Sequence, residues 1–128
     1  MNPKRKINEE RAAMYIAVHH KEISEEIQQL SSHKNFAGII QAVINQIRGL
    51  LEKGEFVRIV RHIRYIAWIY QRGNEYIRYI IENLFVRSFE GIRRRCSTKQ
   101  WLQLYAKIPN PFKVIYLTQN NFIQTVKR

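Results

Sequence analysis

The stretch "EFVRIVRHIRYIAWIYQRGNEYIRYIIENLF", residues 55–85, decides how the chain is read. Arg58, Arg61 and Arg64 recur every three residues in a segment otherwise dominated by aliphatic and aromatic side chains. An α-helix turns about 100° per residue. On that wheel Phe56, Ile59, Val60, Ile63, Ile66, Ala67 and Tyr70 gather in an uncharged arc of about 120°, wide enough to face a core. The opposite side carries Arg58, Arg61, His62, Arg64 and Arg72, together with Val57, Tyr65, Trp68 and Ile69. The arginines are therefore the wet face of an amphipathic helix, spread around it rather than lined up as a ladder. The next segment repeats the pattern. Ile77, Ile80, Ile81 and Leu84 share a face with Phe85 at its margin, Glu75, Glu82 and Glu90 lie opposite, and Arg78 stands four residues before Glu82, a spacing that allows an ion pair. "EFVRIVRHI" and "EYIRYIIEN" align at an offset of 20 residues, two neighbouring helices with similar roles rather than a counted repeat array.

Working outward, proline and glycine fall mostly at joints, and the fold class is all-α: a single domain of five to seven helices packed as antiparallel hairpins. Helices are expected over 7–30, 34–53, 55–72, 75–95, 98–107 and 112–126, with a break in the first near His19 and His20. Gly54 and Gly73 are expected as C-terminal caps and Asn74 as an N-cap. The expected core comprises Phe56, Ile59, Ile63, Ile66, Ile77, Ile80, Leu84 and Phe85. The domain is taken to span 1–128, with 1–6, which hold Lys4, Arg5 and Lys6, a candidate for a disordered basic extension.

The chain has 128 residues, a net charge of +12 and no aspartate. Residues 1–53 hold eight Lys/Arg against six Glu, a balance of +2; residues 54–128 hold fourteen against four, a balance of +10. Such a half attracts acidic partners, nucleic acid or anionic lipid through its long-range field. One cysteine, Cys96, excludes an intramolecular disulfide and suits a reducing compartment, so the expected location is the cytoplasm. The longest uncharged run, "VIYLTQNNFIQTV" at 114–126, is too short and too polar to span a membrane.

Catalytic and metal chemistry find little support. His19 and His20 are adjacent and point about 100° apart on a helix, whereas a helical metal pair needs a spacing of three or four. Cys96 follows Arg93, Arg94 and Arg95, cations that would favour its thiolate, but no histidine lies nearby in sequence. The glutamates form no cluster; Glu82 beside Asn83 is the nearest to one. No phosphate-cradling glycine loop, nucleophile elbow or zinc spacing occurs. The expectation is a protein that is not an enzyme and needs no cofactor or metal.

The candidate binding patch is Arg58, Arg61, Arg64, Tyr65, Trp68 and Arg72, with Arg93, Arg94 and Arg95 as a secondary basic cluster. Trp, Tyr and Arg are the residues enriched at interface hot spots. An acidic protein partner, or self-association, is the favoured use of the patch, and stacking on nucleic acid the alternative. Whether Trp68 is covered by another segment, such as the first helix, or left exposed is open at this point.

The run from "LLEKGEF" (50–56) to "IENLFVRSFEGI" (81–92), followed by "WLQLYAKIPNPFKVIYLTQ" (101–119), resembles a group of small uncharacterised bacterial helical proteins. The residues that carry the resemblance are Leu50, Leu51 and Gly54; Ala67, Gly73 and Asn74; Ile77, Ile81, Glu82, Asn83, Phe85, Val86 and Ser88; and Tyr116 and Gln119. The resemblance implies an all-α fold and a bacterial source, and brings no catalytic residue. Some such domains look like immunity or accessory proteins of toxin systems, a role from which the strong positive charge departs.

Overall fold

The computed structural model describes residues 6–126, with side chains as far as Asn120. It is helical throughout: α1 (Glu9–His19), α2 (Ser24–Ser32), α3 (Phe36–Glu52), α4 (Phe56–Arg72), α5 (Glu75–Ile80), α6 (Phe89–Arg95), α7 (Thr98–Ala106) and α8 (Asn110–Val126). A π turn, Ile81–Phe85, and a 3₁₀ turn, Val86–Ser88, join α5 to α6 without a break, so these two run on as one irregular helix and the helices number seven among the described residues.

Local chemistry sets the boundaries. Asn8 caps α1 by accepting from the Arg11 amide at 2.9 Å, and Glu9 and Glu10 in its first turn meet the positive end of the helix dipole. The helix breaks at His20 (φ −126°, ψ 68°), and a 3₁₀ turn, Lys21–Ile23, leads into α2, so the break expected near the two histidines is present. Asn35 caps α3 through the Gly38 amide, and Gly54 ends the α3 region in the left-handed conformation (φ 72°) that glycine adopts at little cost. Ser97 and Gln100 cap each other's backbone amides at the start of α7.

Gly73 is the C-cap of α4, as expected, but not in the left-handed conformation for which glycine is usual there. Its backbone is extended (φ −76°, ψ 157°) and it is buried. It forms a parallel bridge with Ile7, in which the Ile7 amide donates to the Arg72 carbonyl at 2.9 Å and the Asn74 amide donates to the Ile7 carbonyl at 3.1 Å. A Cβ at Gly73 would sit 2.4 Å from Ile77 Cγ2 and 3.1 Å from the Ile69 carbonyl oxygen, so the residue is glycine for room. Asn74 is the N-cap of α5, accepting from the Ile77 amide, and its amide group also donates to Glu9 at 2.9 Å.

One contiguous core runs from Ala12 to Tyr116. Its centre is α3, which buries Phe36, Ile39, Ile40, Val43, Ile44, Ile47, Leu50 and Leu51. Phe85, Phe89, Phe112 and Tyr116 fasten the irregular helix to α8 through edge-on and tilted ring contacts at 5.6–6.2 Å. Six of the eight expected core residues are buried; Phe56 and Leu84 are half-buried and pack at the core's margin.

Two residues placed on the wet side of α4 are buried: Ile69 is 0% exposed and His62 7%. A single helical arc assumes one covered face, whereas α4 is covered on two, by the central core and by α1. The Arg78–Glu82 pair does not form either. The Arg78 guanidinium lies over the Tyr70 ring, 4.7 Å from its centroid, and Glu82 accepts the Tyr70 hydroxyl proton instead. No described helix is long and apolar enough to cross a membrane.

Candidate functional site

The aromatic part of the expected patch is a joint between α1 and α4. Tyr65 stacks on His19, with centroids 3.6 Å apart and planes 20° from parallel, and on Trp68 at 5.6 Å and 16°. Trp68 takes the edge of Tyr15 at 5.4 Å and 89°, and the Arg72 guanidinium lies 4.3 Å from its ring. Burial pushes the Tyr65 hydroxyl up to about 12, with the neighbouring Tyr15 adding to the rise. Trp68 is therefore half-covered, and the first helix is what covers it.

The cations of the patch diverge. Arg58 is committed to Glu22 at 2.6 Å and to Glu55 at 3.2 Å. Arg61 lines a small cleft with Val18, Lys21 and His62. Arg61, Arg64 and Arg72 are exposed and take part in no ion pair among the described residues.

Beneath Arg58 a polar chain enters the interior. Glu22 accepts from Arg58 and from the Gln46 amide nitrogen at 3.1 Å; the Gln46 carbonyl is thereby turned to accept from His20 Nδ1 at 2.9 Å. His20 must then carry its proton on Nδ1, leaving Nε2 a bare lone pair. That ring stacks on His62, centroids 4.2 Å apart, and the Nε2 atoms of both are buried without a partner. Burial, above all, lowers both imidazoles, His62 to about 4. At neutral pH the pair is neutral and packs as two flat apolar rings would.

Arg64 reaches the other flank of α4, where two depressions meet to form a groove. The first, about 360 Å³, has Phe56, Val57, Val60 and Leu104 as its apolar surface and Arg64, Gln103 and Lys107 around it. The second, about 540 Å³, shares Arg64 and Lys107 and adds Trp68, Gln71, Asn110 and Lys113 at the α7–α8 corner. Among the described residues no carboxylate lines either depression. Val57 is 74% exposed at one end, and Lys113 lies over the Tyr105 ring at the other. Lys107 and Lys113 escape a reading of residues 55–72 alone, because only the turn at Pro109–Pro111 brings α7 and α8 alongside α4. Their signal is the lysine on either side of "IPNPF".

A family model described as a domain of unknown function (DUF7674) matches residues 13–124, from within α1 to within α8. The chain belongs to this DUF7674 family. Comparison with curated proteins and with solved structures gives no match.

The remaining candidates in this DUF7674 domain do not converge. Glu82 binds the Tyr70 hydroxyl, while the exposed Asn83 donates to the Tyr79 carbonyl of its own helix at 2.9 Å. Within the π turn the Glu82 carbonyl accepts from Gln119 at 3.1 Å, which ties α8 down. Cys96 is half-buried, and burial raises its thiol, opposite to the thiolate that the preceding arginines suggest. The secondary cluster splits: Arg93 forks onto Glu90, which also accepts from Tyr116, while Arg94 and Arg95 make no ion pair among the described residues. No group of three or more His, Cys, Asp or Glu side chains among the described residues is placed to hold a metal ion.

Proposed function

We propose that this domain is a non-enzymatic interaction module that seats an acidic, partly apolar segment of a partner protein in the groove between α4 and the α7–α8 corner. The observation that carries this reading is the groove's composition: an apolar surface beside Arg64, Lys107 and Lys113, with no carboxylate among the described lining residues. Apolar burial at Phe56, Val57, Val60 and Leu104 would supply affinity, while the cations would fix register and speed encounter with a negative segment. Nucleic acid is less favoured, because Tyr65 and Trp68 already spend ring faces on His19, on each other and on Arg72, and a stacking base would have to displace those contacts.

The test is fluorescence anisotropy with two labelled probes, an amphipathic helical peptide bearing Leu and Glu on one face and a single-stranded oligonucleotide. Saturable peptide binding that weakens about tenfold or more in the Arg64→Glu/Lys107→Glu variant is expected, the loss of two charge-assisted contacts. Peptide binding that is absent, or that ignores the substitutions, would remove this reading. Tighter oligonucleotide binding, falling with salt at a log–log slope of about 0.7 per phosphate contacted, would put nucleic acid in its place.

A further inference from the structure

Arg48, on α3, and Arg95, at the end of α6, converge on the same glycine. A Cβ built on Gly91 would have Arg95 Nη1 at 3.5 Å and Arg48 Nη2 at 3.6 Å, so two guanidinium groups reach one side-chain-free spot. Arg95 Nη1 donates to the Gly91 carbonyl at 3.3 Å, which holds the fork in place and leaves its other donors to be used. Arg48 Nε is buried with no hydrogen-bond partner. Neither arginine makes an ion pair among the described residues, where the pairs belong to Arg58 and Arg93: Glu90, the nearest acid in sequence to Arg95, is occupied by Arg93 and Tyr116, and Glu52, four residues after Arg48 on α3, is exposed and within 4 Å of no cation.

A lysine or histidine in such company could shed its proton. A guanidinium cannot, so the like charges persist at every physiological pH unless something negative lies between them. Planar forks that approach one spot from two directions match the oxygens of a tetrahedral dianion, and Gly91 puts no side chain between them. We propose that Arg48 and Arg95, meeting over Gly91, bind a phosphate dianion, either as the free ion or as a terminal phosphomonoester. This seat uses α3 and α6 rather than the α4 groove, and it stands or falls separately from the docking reading.

The experiment titrates the full chain calorimetrically with inorganic phosphate and with glycerol phosphate, and records thermal unfolding in phosphate and in chloride at matched ionic strength. Phosphate should bind saturably and raise the midpoint where chloride does not. Arg48→Gln and Arg95→Gln should each weaken phosphate binding about tenfold or more, the loss of one hydrogen-bonding partner of a charged group, while Arg94→Gln leaves it unchanged. Arg95 is exposed, so its variant carries the test even if Arg48→Gln fails to fold. Glycerol phosphate binding more tightly than inorganic phosphate assigns the seat to an ester; equal or weaker binding assigns it to the free ion. No saturable heat, the same midpoint rise in chloride, or phosphate affinity unchanged in Arg95→Gln would overturn the proposal.

Discussion

Acidification should weaken this domain in two stages, and the first belongs to the stacked imidazoles. His62 is held down to about 4 by burial first, then by the charges of His20 and Arg58 beside it, with Glu22 partly countering. His20 is lowered chiefly by burial, against the pull of its hydrogen bond to Gln46. In the unfolded chain an imidazole takes up its proton near 6.5, so over the interval between the two values the unfolded chain binds a proton that the fold refuses. Stability from His62 is therefore complete above about pH 6.5 and lost progressively as pH falls towards about 4. At roughly 1.4 kcal/mol per tenfold change in proton affinity, this one group accounts for about 3 kcal/mol, a large share of a small domain's stability. His20 adds to it in the same direction. Glu22 and Glu90 are lowered as well, Glu90 chiefly by its hydrogen bond from Arg93, and their loss follows at more acid pH, as the second stage. Urea unfolding, followed by circular dichroism at intervals from about pH 8 to about pH 4.5, measures the slope. The comparator is His62→Phe, which keeps a flat ring without a titrating nitrogen. A wild-type stability that stays level across this window, or a His62→Phe chain that retains the full slope, refutes the reasoning.

Two further predictions concern packing, and both are read by chemical denaturation at neutral pH. Gly73→Ala should cost about 1–3 kcal/mol, because the new methyl meets the fixed Ile69 carbonyl and the Ile77 side chain together; an unchanged midpoint would mean that the bridge with Ile7 yields freely. Trp68→Ala should cost about 2–3 kcal/mol, below the 3–5 of a fully buried ring, since Trp68 is half-covered but touches Tyr15, Tyr65 and Arg72; no loss of stability would mean that the α1–α4 joint contributes nothing to the fold.

Helix positions were legible because apolar periodicity and caps are local. Asn74, Gly54 and the break at His20 each act within a few residues of themselves, and each is found where the sequence places it. What escaped depends on a second element arriving. His62 and Ile69 look wet on any wheel of α4 alone; His62 is interior because the ring of His20, at the break after α1, stacks on it, and Ile69 is part of the contiguous core. The role of Gly73 depends on Ile7, 66 residues earlier in the chain, rather than on its own helix. The π turn at Ile81–Phe85 has no mark in "IENLF" that separates it from ordinary helix; its Glu82 carbonyl accepts from Gln119 of α8. For the candidate site, the α4 residues were readable as a set, but their division into the Glu22 pair, the α1 stack and the groove was not, since each division is made by a distant partner. Arg48 drew no notice for the same reason: its neighbour Arg95 lies on another helix.

The clip at Ile7, Gly73 and Asn74 also bears on how the domain opens. Its hydrogen bonds and the Asn74–Glu9 contact, between residues 65 apart in sequence, fasten the approach to α1 onto the α4–α5 corner. α1 is thus held at its start by the clip and along its length by rings, by the fully buried Ile16 and by the smaller Ala12, Ala13 and Ala17, which bury little apolar area each. Such a segment can detach as a unit while the α3-centred core stays closed. In native-state hydrogen exchange the amides of Ile7 and Asn74 should then lose protection together, and sooner than those of α3. Each such opening would uncover Trp68 and a face of the Tyr65 ring, so behind α1 the closed fold conceals a second apolar face that would exist only in its excursions.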